Sequence, residues 1–123
     1  TLFRSSLKLK RKMQEIYDAD SAVFMYYKTP GNPRFFTYNK VLNMQLLNKL
    51  MNNINQSNVD STTGCVTNGK IYFYDNTEAV YVVYFSNNDA CSTMSYIKTG
   101  EKYFTQMNTE VKKMVDSIQS YAK

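Results

Sequence analysis

Residues 71–85 read IYFYDNTEAVYVVYF, and this stretch decides the fold class that the sequence predicts. Aromatic and β-branched residues favour strands, and they fill the two runs Ile71–Tyr74 and Ala79–Phe85. The four residues Asp75–Glu78 between the runs suit the loop of a β-hairpin. A further strand is indicated at Ser92–Ile97, so the second half of the chain predicts an antiparallel meander of three strands.

The first half of the chain adds two strands. Ala22–Tyr27 is apolar or aromatic at every position, which is expected of a central strand covered on both sides. Thr29–Pro33 contains two prolines and a glycine and is the strongest turn signal in the sequence. Arg34–Tyr38 then returns antiparallel. The sequence therefore predicts one antiparallel sheet of about five strands.

Three segments predict helices. The first is the basic segment 1–17, and the second runs over Lys40–Ile54 and is followed by a polar loop over residues 55–69. The third covers Glu101–Lys123. The apolar residues of this last segment keep helical spacing: Phe104, Met107, Val111, Met114, Val115, Ile118 and Ala122.

The predicted order is α-β-β-α-β-β-β-α, an α+β fold in a single domain over residues 1–123. This order resembles that of the GAF, PAS and profilin-like group of sensory domains. In GAF domains a first helix commonly enters the first strand through an acidic Ala-Asp turn, which here matches Tyr17–Phe24. Glu101–Lys123 looks like the closing GAF helix. The resemblance implies a sensory or interaction domain, one that forms dimers and in some members binds a small molecule between sheet and helix.

The positive charge is concentrated at the beginning of the chain. Five of the 15 basic residues precede the first acid, which leaves 10 basic against 10 acidic residues in the remainder. Such a block indicates either a solvated helix face or a contact with nucleic acid or with anionic lipid beside a membrane anchor. The five basic residues are Arg4, Lys8, Lys10, Arg11 and Lys12.

The residue inventory argues against catalysis. The chain has no His, which excludes Ser-His, Cys-His and His-metal arrangements. Glu15, Asp18 and Asp20 are close in sequence, but a turn at the end of a helix explains them equally well. We therefore predict that the protein is not an enzyme and has no catalytic residue, no cofactor and no metal site.

Two cysteines, Cys65 and Cys91, bear on the compartment. One strand lies between the strands that they precede, so the starts of those strands are expected about 9 to 10 Å apart. That separation is too large for a disulfide unless the loop that carries Cys65 folds back toward Cys91. A basic block beside an anchor also favours the cytoplasmic side. We therefore predict free thiols, at the cytoplasmic face of a membrane or in a virion.

The function predicted from these features is a non-catalytic protein-interaction or sensory domain, the soluble part of a membrane-anchored bacterial or phage protein. Abundant Tyr and Met suit an adaptable interface with a protein partner or a second copy. The alternatives are a small-molecule sensor and a nucleic-acid binder that uses the basic N-terminal residues. Tyrosines on an open sheet could also stack on bases. The tyrosines on predicted strands are Tyr26, Tyr27, Tyr72, Tyr74, Tyr81, Tyr84 and Tyr96.

Overall fold

The computed structural model of the chain describes residues 16, 19–56, 65–75, 80–88, 91–98 and 100–123. These residues form six β-strands and two α-helices. In chain order the elements are β1 (Ala19–Thr29), β2 (Asn32–Val41), α1 (Met44–Gln56), β3 (Gly69–Asp75), β4 (Val80–Asn87), β5 (Ser92–Lys98), β6 (Glu101–Gln106) and α2 (Thr109–Ser120).

The six strands form one antiparallel sheet in the order β2-β1-β3-β4-β5-β6. α1 leads the chain from the edge strand β2 to the far side of β1, where β3 pairs with β1. From β3 onward each strand pairs with the next one in sequence. β2 and β6 are therefore the two edges of the sheet.

Both helices lie on one side of the sheet, which we name the covered face. The Tyr26 hydroxyl of β1 donates a hydrogen bond to the Val115 carbonyl of α2 at 2.7 Å. The Thr105 hydroxyl of β6 donates to the Ile54 carbonyl of α1 at 3.0 Å. The core between the sheet and the helices includes the fully buried residues Phe24, Leu47, Leu50, Met51, Ile71, Phe73, Val83 and Val111.

The predicted sheet of five strands with three helices is wrong, because the described residues form six strands and two helices. The additional strand is β6. The sequence predicts these residues as part of the last helix, because their apolar side chains keep helical spacing. Gly100 adopts a φ of 81°, a conformation that favours glycine, and the chain turns there so that β6 pairs back on β5. The helix then begins only at Thr109.

Two asparagines fix the change from strand to helix after β6. The side-chain oxygen of Asn108 accepts a hydrogen bond from the Val111 N–H at 2.8 Å, which caps the N-terminus of α2. The buried Asn53 of α1 donates to the Gln106 carbonyl at 3.1 Å and accepts from the Asn108 N–H at 3.0 Å. Amide hydrogen bonds, rather than apolar spacing, therefore determine where the helix starts.

The predicted first helix, residues 1–17, lies outside the described residues apart from Ile16, which is fully buried in the core. The second helix starts at Met44 rather than Lys40, because β2 continues to Val41 and pairs there with Ala22. Of the predicted polar loop over 55–69, residues 57–64 also lie outside the described part of the chain.

Cys65 and Cys91 form a disulfide with Cα atoms 5.7 Å apart, so the prediction of free thiols is wrong. That prediction gave most weight to the distance between the starts of β3 and β5, which β4 separates, and to the basic block. Residues 65–68 instead cross the end of β4, where the Ser86 hydroxyl donates to the Val66 carbonyl at 2.8 Å. This crossing brings Cys65 to Cys91, which directly precedes β5.

Candidate functional site

The side of the sheet opposite the helices, which we name the open face, is covered by none of the described residues. Side chains alternate between the two faces along each strand. In β1 the covered face takes Phe24 and Tyr26, whereas Val23, Met25 and Tyr27 project to the open face and are only half-buried. The prediction that this strand is covered on both sides therefore holds for one side only among the described residues.

One row of paired residues crosses the whole open face, and we name it the open row. Met25 pairs with Tyr38 on one side and with Lys70 on the other, and Lys70 pairs with Tyr84. Strands are about 4.8 Å apart, so the row spans about 24 Å. From edge to edge it contains Tyr38, Met25, Lys70, Tyr84, Ser95 and Phe104.

Aromatic and aliphatic residues continue beside this row. Tyr72 pairs with Val23 and Val82, and Tyr27 pairs with Phe36. Several side chains are strongly exposed for residues of their type, because no described element covers them. Their exposed fractions are Phe36 40%, Tyr38 54%, Val80 45% and Ile97 64%.

All charged side chains in the open row and in the pairs beside it are positive. Lys70 lies in the open row, Lys40 pairs with Val23 at the β2 edge, and Lys102 pairs with Ile97 at the β6 edge. None of the residues in the open row or in these flanking pairs is acidic. The open face therefore combines aromatic surface with a small positive charge.

Lys70 lies at the centre of a cluster of three tyrosines. Its ammonium nitrogen is 5.0 Å from the centroid of the Tyr72 ring, and it interacts with Tyr27 and Tyr84 as well. A hydrogen bond with the Tyr72 hydroxyl raises the pKa of Lys70, so the ammonium stays charged. Burial is the largest cause that raises the pKa of Tyr27, which stays neutral.

The seven tyrosines that the sequence places on strands divide between the two faces. Tyr27, Tyr72, Tyr74 and Tyr84 lie on the open face. Tyr26, Tyr81 and Tyr96 pack toward the helices. Sequence reasoning missed Met25, Tyr38, Lys70 and Phe104 as members of the open row. Alternation along the strands was the signal that would have found them.

Most of the remaining predicted site residues lie outside the part of the chain that the structure describes. The basic residues Arg4, Lys8, Lys10, Arg11 and Lys12 lie outside the described residues, as do Glu15 and Asp18, while Asp20 is exposed. Within the described ranges, no three Cys, Asp or Glu side chains are grouped so that they could bind a metal ion. Neither described helix is long and apolar enough to cross a membrane.

No protein-family model, no curated protein and no solved structure matches this chain. The resemblance to GAF and PAS domains therefore stays a prediction, and β6 departs from the order of elements on which it rests. The geometry of the open face is the basis on which a function is assigned to this chain.

Proposed function

We propose that this chain is a non-catalytic protein-interaction domain whose open face binds a protein partner. The open row carries the proposal, because it places Tyr, Met and Phe side chains across the full width of the sheet. Aromatic residues and Met are enriched at protein interfaces, where they bury large areas. An extended exposed surface of this kind is uncommon unless something binds to it.

The disulfide supports an oxidising compartment for this interaction, in place of the cytoplasmic face that the sequence predicts. Cytosolic thiols are kept reduced, whereas disulfides persist in secreted and extracytoplasmic proteins. The Cys65–Cys91 bond also holds the segment that leads into β3, which carries Lys70 and Tyr72. The same bond therefore supports both the proposed compartment and the order of the proposed interface.

The proposal is tested by selecting random dodecapeptides on the oxidised domain and measuring their binding to variants. Tyr38→Ser and Tyr84→Ser remove aromatic surface from the open row. Tyr121→Ser is the matched control, because Tyr121 is 75% exposed and follows α2 at its C-terminal end. We expect selected peptides to shift amide resonances of the strands and to lose binding to the two open-row variants only.

The opposite result would be peptides that bind the open-row variants and the wild-type domain equally, or no selected peptide at all. Either outcome contradicts a protein-binding open face. Thermal stabilisation by one metabolite, without any effect of the open-row variants, would instead favour the small-molecule sensor.

A further inference from the structure

The position of Lys70 limits what can bind to the open face. Lys70 is half-buried and pairs with Met25 and Tyr84 on the neighbouring strands, and its ammonium nitrogen lies 5.0 Å from the centroid of the Tyr72 ring. Among the described residues, none forms a salt bridge with Lys70. A partner that covers the open face removes water from this charge, and a buried charge is costly unless it is paired.

The required negative charge does not come from this chain's own basic block or from a second copy. The block contains five Lys and Arg before the first acid, so it has the same sign as Lys70. Two open faces packed against each other would place Lys40, Lys70 and Lys102 of both copies in one interface, without an acidic residue from the open row or its flanking pairs. Like charges are unfavourable in both arrangements, and this argues for a different molecule.

An acidic protein segment fits the open face better than a nucleic acid. Binding to a nucleic-acid backbone commonly uses many phosphate contacts. The open row and its flanking pairs supply only three lysines over about 24 Å, two of them at the edges. Aromatic surface around one central ammonium instead suits a few apolar side chains around one carboxylate.

We propose that Lys70 recognises a carboxylate of the partner, so that the partner segment is apolar with an Asp or Glu that contacts Lys70. This inference rests on the proposed function of the open face. The carboxylate accepts a hydrogen bond from the ammonium, while Tyr27 and Tyr84 flank the pair and exclude water. Lys70 is therefore the residue that determines specificity for an acidic partner.

The test uses the dodecapeptides selected on the wild-type domain. We expect Asp or Glu in the selected peptides, and a loss of about tenfold in affinity when that residue is changed to Asn or Gln. Lys70→Met should cost about the same factor and remove the dependence on the acidic residue, as expected for a directly interacting pair. Lys70→Arg keeps the charge and should retain binding.

Lys113→Met is the matched control, because Lys113 is an exposed lysine on α2 in the helix layer. It should leave peptide affinity unchanged. Peptides that bind the open face with equal affinity before and after Lys70→Met would overturn this inference and leave the proposed function intact. If no selected peptide binds the open face of the wild-type domain, both this inference and the proposed function are overturned. Tight, steeply salt-dependent binding of oligothymidylate at the open row would show that the partner is a nucleic acid and not an acidic protein.

Discussion

Two rows of residues cross the sheet one position apart in sequence, and they differ in exposure to solvent. The covered row crosses the sheet on the helix side and contains Thr37, Tyr26, Gly69, Phe85, Met94 and Thr105. Each member is adjacent in sequence to a member of the open row. In the covered row Phe85 is 2% exposed, whereas in the open row Tyr38 is 54% exposed.

The difference shows how one sheet can have a packed face and an exposed face. In the covered row Gly69 leaves space for the Phe85 ring, because a Cβ at Gly69 would lie 2.4 Å from that ring. The Phe85 ring then packs edge-on against the Tyr26 ring, with the two ring centroids 5.4 Å apart. In the open row Lys70 and Tyr84 are only half-buried. Side chains of the covered row are therefore packed in the core, whereas those of the open row remain accessible to solvent.

The largest effect is expected from breaking the covered row and comparing it with its neighbour. Phe85→Ala should lower the free energy of unfolding by about 4 kcal/mol, because it leaves a cavity under the helices. Tyr84→Ala, one residue earlier on the open face, should cost about 1 kcal/mol, since its side chain is only half-buried. Urea unfolding of both variants measures the difference, and equal losses would contradict the assignment of the two faces.

A smaller loss is expected when the disulfide is removed. Cys65→Ser should lower the free energy of unfolding by about 3 kcal/mol, because the bond closes a loop between residues separated by 26 positions. Cys91→Ser should give the same loss, as should reduction of the wild-type domain. Two alkylated thiols in the untreated protein, with no loss in the Cys65→Ser variant, would show that the bond does not form.

The smallest effect concerns the hydroxyl of Tyr26 in the covered row. Tyr26→Phe removes its hydrogen bond to Val115 and should cost about 1 kcal/mol at neutral pH. Burial raises the pKa of Tyr26 above its ordinary value of 10.0. Above pH 10 the unfolded chain therefore releases a proton that the folded chain retains, and stability falls as pH rises.

Unfolding of the two proteins between pH 9 and 11 measures this effect. The wild type should lose up to about 1.4 kcal/mol per pH unit from Tyr26 above pH 10, and Tyr26→Phe should lose correspondingly less. Tyr27→Phe is the control on the open face, where burial also raises the pKa but the side chain is half-buried. An identical alkaline slope in the wild type and Tyr26→Phe would contradict a buried, neutral Tyr26.

The sequence predicted the elements well where one periodicity was unambiguous. The runs before and after Asp75 are rich in β-branched and aromatic residues, and they form β3 and β4. The segment from Lys102 to Met107 was predicted as part of the last helix from its apolar spacing, which was wrong because Glu101–Gln106 forms β6. Asn108 was a signal for the true start of α2, since Asn is a preferred N-cap.

The candidate site could be predicted only in part. Abundant tyrosine on strands indicated an aromatic surface, but Tyr26 and Tyr27 fell on opposite faces. The position of Lys70 among aromatic side chains could not be predicted, because it depends on pairing with Met25 and Tyr84 on the two neighbouring strands. Local sequence does not state which strands become neighbours.

The sequence by itself determined that this chain forms an α+β fold with an antiparallel meander, because side-chain shape and local spacing act within a few residues. The tertiary structure alone decided which face the helices cover, which residues share the open row and that Cys65 reaches Cys91. These features depend on pairing between residues far apart in sequence. Such pairing is set by the packing of the whole core, and no single segment contains the information.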